Sequence, residues 1–141
     1  MRFKVRAGFR ANDNILRHLN VKRKLDLPDM VVYETEHFYA YGDPVGEGNH
    51  VVYVFKQDVP NFIREDEWRL SKFLLACHEL IYYSDKIQDP AMRDLEILNI
   101  EHNCYFDELG IRFRGLQERE YEDGGDPFDF KADYVLVFET L

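Results

Sequence analysis

The chain has 141 residues, the size of one domain, and its 45% hydrophobic and 15% aromatic content supports a core and argues against disorder despite a net charge of −9. Two cysteines, Cys77 and Cys104, are too few for the disulfide framework of a small secreted scaffold, so we expect buried thiols in a reducing compartment. No signal-peptide pattern opens the chain and no apolar run reaches membrane-spanning length, which predicts a cytosolic protein.

The first predicted elements are a strand and a short helix. Apolar and basic residues alternate over residues 2–7, the two-residue period of a half-buried strand, and we expect Gly8 to end it. Turn-forming and N-cap residues precede leucines at helical spacing, which predicts a helix over residues 13–19. Pro28 then interrupts the chain.

A long antiparallel hairpin is predicted next. Residues 30–41 are rich in Val, Tyr, Thr and Phe, and residues 50–56 repeat that composition, so each segment is expected to form a strand. Residues 42–48 contain three glycines, Gly42, Gly46 and Gly48, and predict the loop between them.

The strongest helical pattern covers residues 65–83. Its apolar stripe, at spacings of three and four, comprises Ile63, Leu70, Phe73, Leu74, Cys77 and Ile81. Trp68, Leu75 and Tyr82, seven residues apart, extend the stripe to a neighbouring face. An apolar face of this width indicates either a deeply buried helix or a helix that contacts another subunit.

The C-terminal part is predicted to add strands. Residues 95–105 are interpreted as a strand with Leu98, Ile100 and Cys104 inward, a second strand begins at Ile111, and residues 132–140 form the last. Residues 117–129 predict an acidic loop. We therefore expect a single α+β domain over residues 1–141, with a mostly antiparallel sheet packed against one long helix and one short N-terminal helix.

No catalytic or cofactor motif is present in the sequence. The glycine-containing loop at 42–48 enters a strand, lacks the Lys-Ser/Thr pair of a phosphate loop, and carries two acids that repel phosphate. His102 and Cys104, two apart on the predicted strand, share a face but do not make a zinc site without a second pair. Cys77 and His78 are neighbours on a helix and point about 100° apart. We expect a protein that is not an enzyme and binds no cofactor or metal.

Charge is distributed unevenly along the chain. Residues 1–24 hold eight bases and one acid, a net charge of +7, whereas residues 25–141 hold 10 bases and 26 acids, a net charge of −16. The basic segment contacts either the acidic body of its own molecule or a neighbouring molecule. Because the body is so acidic, we expect no sequence-specific nucleic-acid binding.

The order of helix, long-tipped hairpin, long helix, further strands and terminal strand resembles the tail-terminator and tail-completion proteins of long-tailed bacteriophages. The segments that carry this resemblance are residues 27–33 (LPDMVVY), at the start of the hairpin, and residues 132–138 (ADYVLVF), at the end of the chain. The strand over residues 2–7 departs from the pattern. The resemblance implies a small α+β subunit that forms a homo-oligomeric ring at the tube end, made in the host cytoplasm and incorporated into the virion, with no catalytic residues.

The ring interpretation predicts protein partners and two different contact surfaces on each subunit. The residues expected at these surfaces are Arg2, Lys4, Arg6, Arg10, Trp68, Leu75, Tyr82, Glu118, Glu120, Glu122 and Asp123. One alternative is an acidic inhibitor that occupies a nucleic-acid-binding groove of a host defence protein. Another is a small-molecule-binding module in which the aromatic hairpin and the loop at residues 42–48 form a lid.

Overall fold

A computed structural model describes residues 1–10, 20–28, 30–42, 51–118 and 133–141. These ranges contain seven strands: β1 (Arg2–Arg10), β2 (Arg23–Leu27), β3 (Met30–Glu34), β4 (Phe38–Gly42), β5 (Val51–Phe55), β6 (Ile111–Glu118) and β7 (Tyr134–Thr140). They also contain five α-helices: α1 (Asn61–Arg64), α2 (Glu67–Tyr82), α3 (Ser84–Gln88), α4 (Arg93–Cys104) and α5 (Phe106–Leu109). A short 3₁₀ turn (Lys56–Asp58) follows β5. The predicted α+β class is confirmed.

All seven strands form one antiparallel sheet in the order β2-β3-β4-β5-β1-β7-β6. The first strand of the chain therefore lies inside the sheet, paired with β5 from Ala7 onward and with β7 from Arg2 to Ala7. The predicted N-terminal strand is confirmed, but its expected end at Gly8 is wrong, because Gly8 pairs with Tyr53 and the strand continues to Arg10. The predicted terminal strand is confirmed as β7.

The predicted strand over residues 30–41 is wrong in one respect: it is two strands, β3 and β4, separated by a tight turn. The Thr35 hydroxyl oxygen accepts hydrogen bonds from the His37 and Phe38 amides at 3.3 and 3.1 Å, and the Thr35 amide donates to the Phe38 carbonyl at 2.9 Å. A threonine can thus form a turn through its side chain although it is also a favourable strand residue, so composition alone did not show the reversal. The hairpin of β4 and β5 is confirmed in its pairing.

The predicted long helix is confirmed as α2. The Asp66 side chain caps it by accepting a hydrogen bond from the Arg69 amide at 3.0 Å. All six residues of the predicted apolar stripe are buried, with Ile63 lying in α1 just before the helix. The stripe packs on the sheet, where the Phe73 ring lies 5.3 Å from that of Phe138.

The predicted strand over residues 95–105 is wrong: residues 95–104 belong to helix α4, and Tyr105 is its C-cap. Ile100 and Cys104, four apart, are buried, whereas Leu98, expected inward, is 64% exposed. His102 is also exposed, so it does not share a face with Cys104. Apolar residues in this segment are spaced both two residues apart, as in a strand, and four residues apart, as in a helix. Packing against α2 and α3 favours the helix.

Two apolar clusters lie on the two faces of the sheet. The larger fills the space between the helices and the inner face, and the smaller comprises Phe38, Ala40, Val51, Tyr53 and Phe55 on the outer face. The predicted helix at 13–19, most of the predicted loop at 42–48 and nearly all of the acidic loop at 117–129 lie outside the described residues. Within the described ranges, no helix combines the length and apolarity needed to cross a membrane.

Candidate interaction surfaces and an aromatic pocket

Strand β1 separates apolar and basic side chains onto the two faces of the sheet. Phe3 and Val5 face the helices and belong to or pack against the main core. Lys4 and Arg2 therefore point to the outer face, where Lys4 lies opposite Val137 and Arg2 opposite Glu139 of β7. Both cations are exposed, so the basic half of the predicted alternation is accessible at the outer face.

Strand β6 brings more cations to the same surface from the other end of the chain. Arg112 lies opposite Glu139 on the outer face, and Arg114 follows at the bulge between Phe113 and Gly115. Arg114 Nε is 3.4 Å from Glu139 Oε2. We call the surface formed by Arg2, Lys4, Arg112 and Arg114 around Val137 the basic face.

Within the described residues, Arg114 is the one cation of the four that makes an ion pair within 4.0 Å, and its partner is Glu139. Arg112 and Arg114 also interact electrostatically with the Glu101 carboxylate of α4. Val137, at the centre of the patch, is 9% exposed. The basic face thus combines four cations, of which Arg2 and Lys4 make no ion pair within the described residues, with a small apolar centre, a composition suited to an acidic partner surface.

Arg6 was predicted with these cations but has a different environment. Its backbone amide and its Nε donate to the same carboxylate oxygen of Asp58, at 3.0 and 2.9 Å. Its guanidinium also lies 4.2 Å from the centre of the Phe55 ring. Because Asp58 is the last residue of the 3₁₀ turn that follows β5, Arg6 links the centre of β1 to this turn within its own molecule.

The opposite side of the molecule is acidic. Residues 61–110, which form the helical layer, contain 11 acids and five bases, a net charge of −6. Leu95 and Leu98 lie three residues apart on α4, and Met92 lies three residues before Leu95, at the N-cap of the helix; they are 68%, 64% and 39% exposed, respectively. We call these three residues the α4 ridge. Adjacent exposed apolar residues of this kind mark interaction surfaces more often than isolated ones.

The other predicted surface residues are spread over the molecule. Trp68 and Tyr82, at the two ends of α2, are exposed, and Leu75 between them is half-buried. Arg10 and Glu118 belong to β1 and β6, but their side chains lie outside the described residues, as do Glu120, Glu122 and Asp123 entirely. The structure does not bring Arg2 and Lys4 together with Trp68 and Tyr82, because the sheet lies between them.

Sequence reasoning missed Arg112, Arg114 and the α4 ridge. The arginines at alternate positions beside Ile111 repeated the basic alternation of β1, a signal that was available but was not connected to the N-terminus. The ridge was missed because its segment was interpreted as a strand. On a helix, its spacing of three would have predicted a single side.

An aromatic pocket of about 260 Å³ lies at the far end of β1, on the helix side of the sheet. Its lining residues are Phe9, Ile81, Tyr82, Ser84, Asp85 and Tyr134. The Tyr82 ring lies nearly parallel to Phe9, with centroids 6.3 Å apart, and the Ser84 hydroxyl donates to the Tyr134 hydroxyl at 3.2 Å. Burial raises the pKa of the Tyr82 phenol, so its hydroxyl remains protonated at neutral pH.

A second cavity, of about 210 Å³, contains several cations that are already paired. Lys56 donates to the Thr35 carbonyl at 3.0 Å and lies 3.9 Å from Glu34. Arg64 hydrogen-bonds Tyr39, and Arg6 binds Asp58. Because Arg6 and Lys56 are paired with carboxylates and Glu36 also lines the cavity, this cavity is a poor anion site.

The described residues form no arrangement that would support nucleophilic or metal-assisted chemistry. Burial raises the pKa of the Cys77 thiol well above its ordinary value and that of Cys104 to about 11, which keeps both thiols protonated. Among the described side chains, no three His, Cys, Asp or Glu residues converge as metal ligands.

Comparisons with protein-family models, with characterised proteins and with solved structures yield no match to this chain. The resemblance to phage tail-terminator proteins therefore remains an expectation based on the order of elements. The structure changes part of that order, because residues 95–104 are helical rather than a strand. The geometry of the basic face, the helical layer and the pocket is thus the basis for assigning a function.

Proposed function

We propose that this protein is a non-enzymatic subunit that assembles head to tail into a homo-oligomeric ring. The observation that carries the proposal is the separation of charge across one sheet. The basic face lies on the outer side, and the acidic helical layer with the α4 ridge lies on the inner side. Two complementary surfaces on opposite sides of one subunit suit a heterologous contact, which closes into a ring when the rotation between neighbours permits.

The apolar residues of the α4 ridge and the cations of the basic face would contribute differently to such a contact. Transferring one leucine of the α4 ridge from water into an interface stabilises the contact by about 1.5–3 kcal/mol. The cations of the basic face add orientation and association rate more than affinity, because exposed charges are screened by salt beyond roughly 8 Å. The apolar ridge would therefore hold neighbours together, and the charges would select which surfaces meet.

The tail-terminator resemblance gives this assembly a biological setting. In that setting the ring would form from host cytoplasmic protein, contact tail and head proteins, and become part of the virion. The overall charge of −9 suits a ring through which DNA passes, because an acidic surface repels the phosphate backbone. No cofactor or catalytic step is needed for this role.

The acidity of the helical layer also favours a second candidate, an inhibitor that occupies a basic nucleic-acid-binding groove on another protein. In that role the helical layer would mimic phosphate charge, and the protein would act as a monomer or dimer. Competition with DNA for a basic protein partner, at a protomer concentration where no ring forms, would favour the inhibitor.

Native mass spectrometry and light scattering test the ring. We expect the wild-type protein to form a closed oligomer at low salt. The Lys4→Glu, Arg112→Glu double variant should be a monomer, because it replaces two cations of the basic face with acids. The matched control is Lys22→Glu, Lys24→Glu, which makes the same change in net charge at exposed lysines near the opposite edge of the sheet. A monomeric wild type, or equal loss of assembly in both variants, contradicts the proposal.

A mixing experiment separates head-to-tail contacts from two-fold symmetric ones. The Leu95→Glu, Leu98→Glu variant keeps the basic face but loses the ridge, whereas the Lys4→Glu, Arg112→Glu variant keeps the ridge but loses the basic face. Each variant alone should be monomeric, and their mixture should form a heterodimer through the one intact pair of surfaces. Two variants that remain monomeric when mixed would exclude a contact between the ridge and the basic face.

A further inference from the structure

We propose that the aromatic pocket beside α2 binds a small organic ammonium cation. The pocket includes residues of the helical layer but none of the basic face or the α4 ridge, and its occupancy can be measured on a single subunit, so the inference does not depend on the proposed assembly. The pocket lies between the end of α2, the start of α3 and the adjoining ends of β1 and β7. It is therefore built from elements whose positions are set by the core.

The walls of the pocket favour a cation with an apolar surface. Phe9, Tyr82 and Tyr134 contribute three aromatic rings, and Ile81 forms an apolar floor that is 2% exposed. The faces of aromatic rings carry partial negative charge and attract ammonium groups, most strongly those whose methyl groups weaken their hydration. Tyr82 is further ordered by His78, whose ring stacks on it at 4.5 Å.

The polar side chains among the six described lining residues are negative or neutral. Asp85 is exposed and lines the pocket. The buried Ser84 hydroxyl is oriented toward Tyr134. None of the six lining residues is a lysine or arginine. A cation entering the pocket would meet the Asp85 carboxylate with no competing lysine or arginine among these six residues, whereas an anion would be repelled.

The size of the pocket limits the ligand. Its volume of about 260 Å³ lies just below the range of pockets that hold drug-sized molecules, which begins at about 300 Å³. A compact quaternary ammonium compound such as choline is therefore a suitable probe. Its uncharged isostere, 3,3-dimethylbutan-1-ol, has nearly the same shape and separates the contribution of charge from that of apolar contact.

The test is a titration of the full chain with each probe, followed by NMR chemical shifts and calorimetry. We expect choline to bind at least roughly tenfold more tightly than the alcohol, the ratio that corresponds to a cation–π and carboxylate contribution of about 1.4 kcal/mol. The largest shifts should fall on the lining residues. Equal binding of the two probes, or no binding of choline, overturns the proposal.

Variants locate the site. Tyr82→Leu and Asp85→Asn should each weaken choline binding several-fold. Because Asp85 is exposed, Asp85→Asn should leave the unfolding midpoint nearly unchanged, whereas Tyr82→Leu should lower it somewhat through loss of the ring contacts with Phe9 and His78. The matched control is Tyr83→Leu, which removes a neighbouring exposed tyrosine that does not line the pocket. Choline binding that survives Tyr82→Leu, or that is lost equally in Tyr83→Leu, would place the cation elsewhere and contradict the proposal.

Discussion

Gly8 lies directly opposite Tyr53 in the sheet, and the phenol of Tyr53 occupies the space that a side chain at position 8 would need. A Cβ atom added to Gly8 would be 2.5 Å from the Tyr53 hydroxyl oxygen and 2.9 Å from the Asp133 amide nitrogen. Both distances are shorter than van der Waals contact. The glycine therefore permits a buried tyrosine on the outer face at the centre of the sheet.

Gly8→Ala should lower the free energy of unfolding by about 2–3 kcal/mol, the cost of inserting a methyl group into a packed site. The backbone amide of Asp133 cannot move aside as a flexible side chain could. Urea unfolding measures the change. In a Tyr53→Leu background, where part of the clash is removed, the same substitution should cost less, and an equal cost in both backgrounds would show that the ring is not responsible.

Tyr41→Phe should destabilise the protein by about 1 kcal/mol. The fully buried Tyr41 hydroxyl donates to the Leu74 carbonyl in α2 at 2.6 Å, which links the sheet to the long helix. The control is Tyr33→Phe on the neighbouring strand, because the Tyr33 hydroxyl makes no hydrogen bond within the described ranges. The hydrogen-bond explanation fails if thermal unfolding shows equal losses for the two variants.

Asp58→Ala should cost about 1–2 kcal/mol, mainly because the Arg6 backbone amide loses its acceptor. The Arg6 side chain is 38% exposed, so the ion pair itself contributes little after solvent screening. Asp58→Asn keeps an acceptor oxygen for this amide. In denaturant unfolding it should therefore lose only about half as much stability as Asp58→Ala. If the asparagine variant is as unstable as the alanine variant, charge rather than the backbone hydrogen bond is decisive.

The buried thiols predict a loss of stability in mild alkali. Unfolded cysteine has a pKa of about 8.5, whereas burial raises the pKa of Cys104 to about 11. Above the unfolded value, the unfolded chain loses the proton that the folded chain keeps. The stabilisation that arises from the raised pKa of Cys104 is therefore fully present below about pH 8.5. Above that pH it falls by roughly 1.4 kcal/mol per pH unit until the pKa of the folded state is reached.

Urea midpoints between about pH 8.5 and pH 10 measure this slope, because ordinary tyrosines begin to titrate near 10. Cys104→Ala should lower the midpoint at neutral pH, owing to the small cavity it leaves, and should make the alkaline slope shallower. A slope unchanged by the substitution would show that Cys104 does not cause it. Native-state reaction with a thiol reagent should be slow for the same reason, since Cys77 and Cys104 are both buried.

The ring proposal depends on which cations remain available for a partner. In the sequence, Arg2, Lys4 and Arg6 are equivalent members of one basic segment. In the structure the Arg6 guanidinium contacts Asp58 and Phe55 of its own molecule, whereas Lys4 and Arg112 are exposed and make no ion pair within the described residues. The basic face is therefore defined by side chains from both ends of the chain.

The amino-acid sequence by itself determined the features that depend on local periodicity. Alternation over residues 2–7 specified a strand with one basic side, and the stripe from Leu70 to Ile81 specified a helix with one buried side. Secondary-structure prediction from local spacing failed in α4, where the spacing is compatible with both a strand and a helix. Prediction from composition failed at Thr35, whose side chain forms a turn within a segment of favourable strand composition.

Only the tertiary structure decided which surfaces these elements share. The insertion of β1 between β5 and β7 places Lys4 on the same face as Arg112, more than a hundred residues away in sequence, and places Phe9 beside Tyr82 and Tyr134. Strand order of this kind depends on the burial of apolar area between segments that are distant in sequence. A short stretch of sequence therefore cannot specify it. The charge pattern was thus visible in the chain, but its division between two sides of the molecule arises from packing.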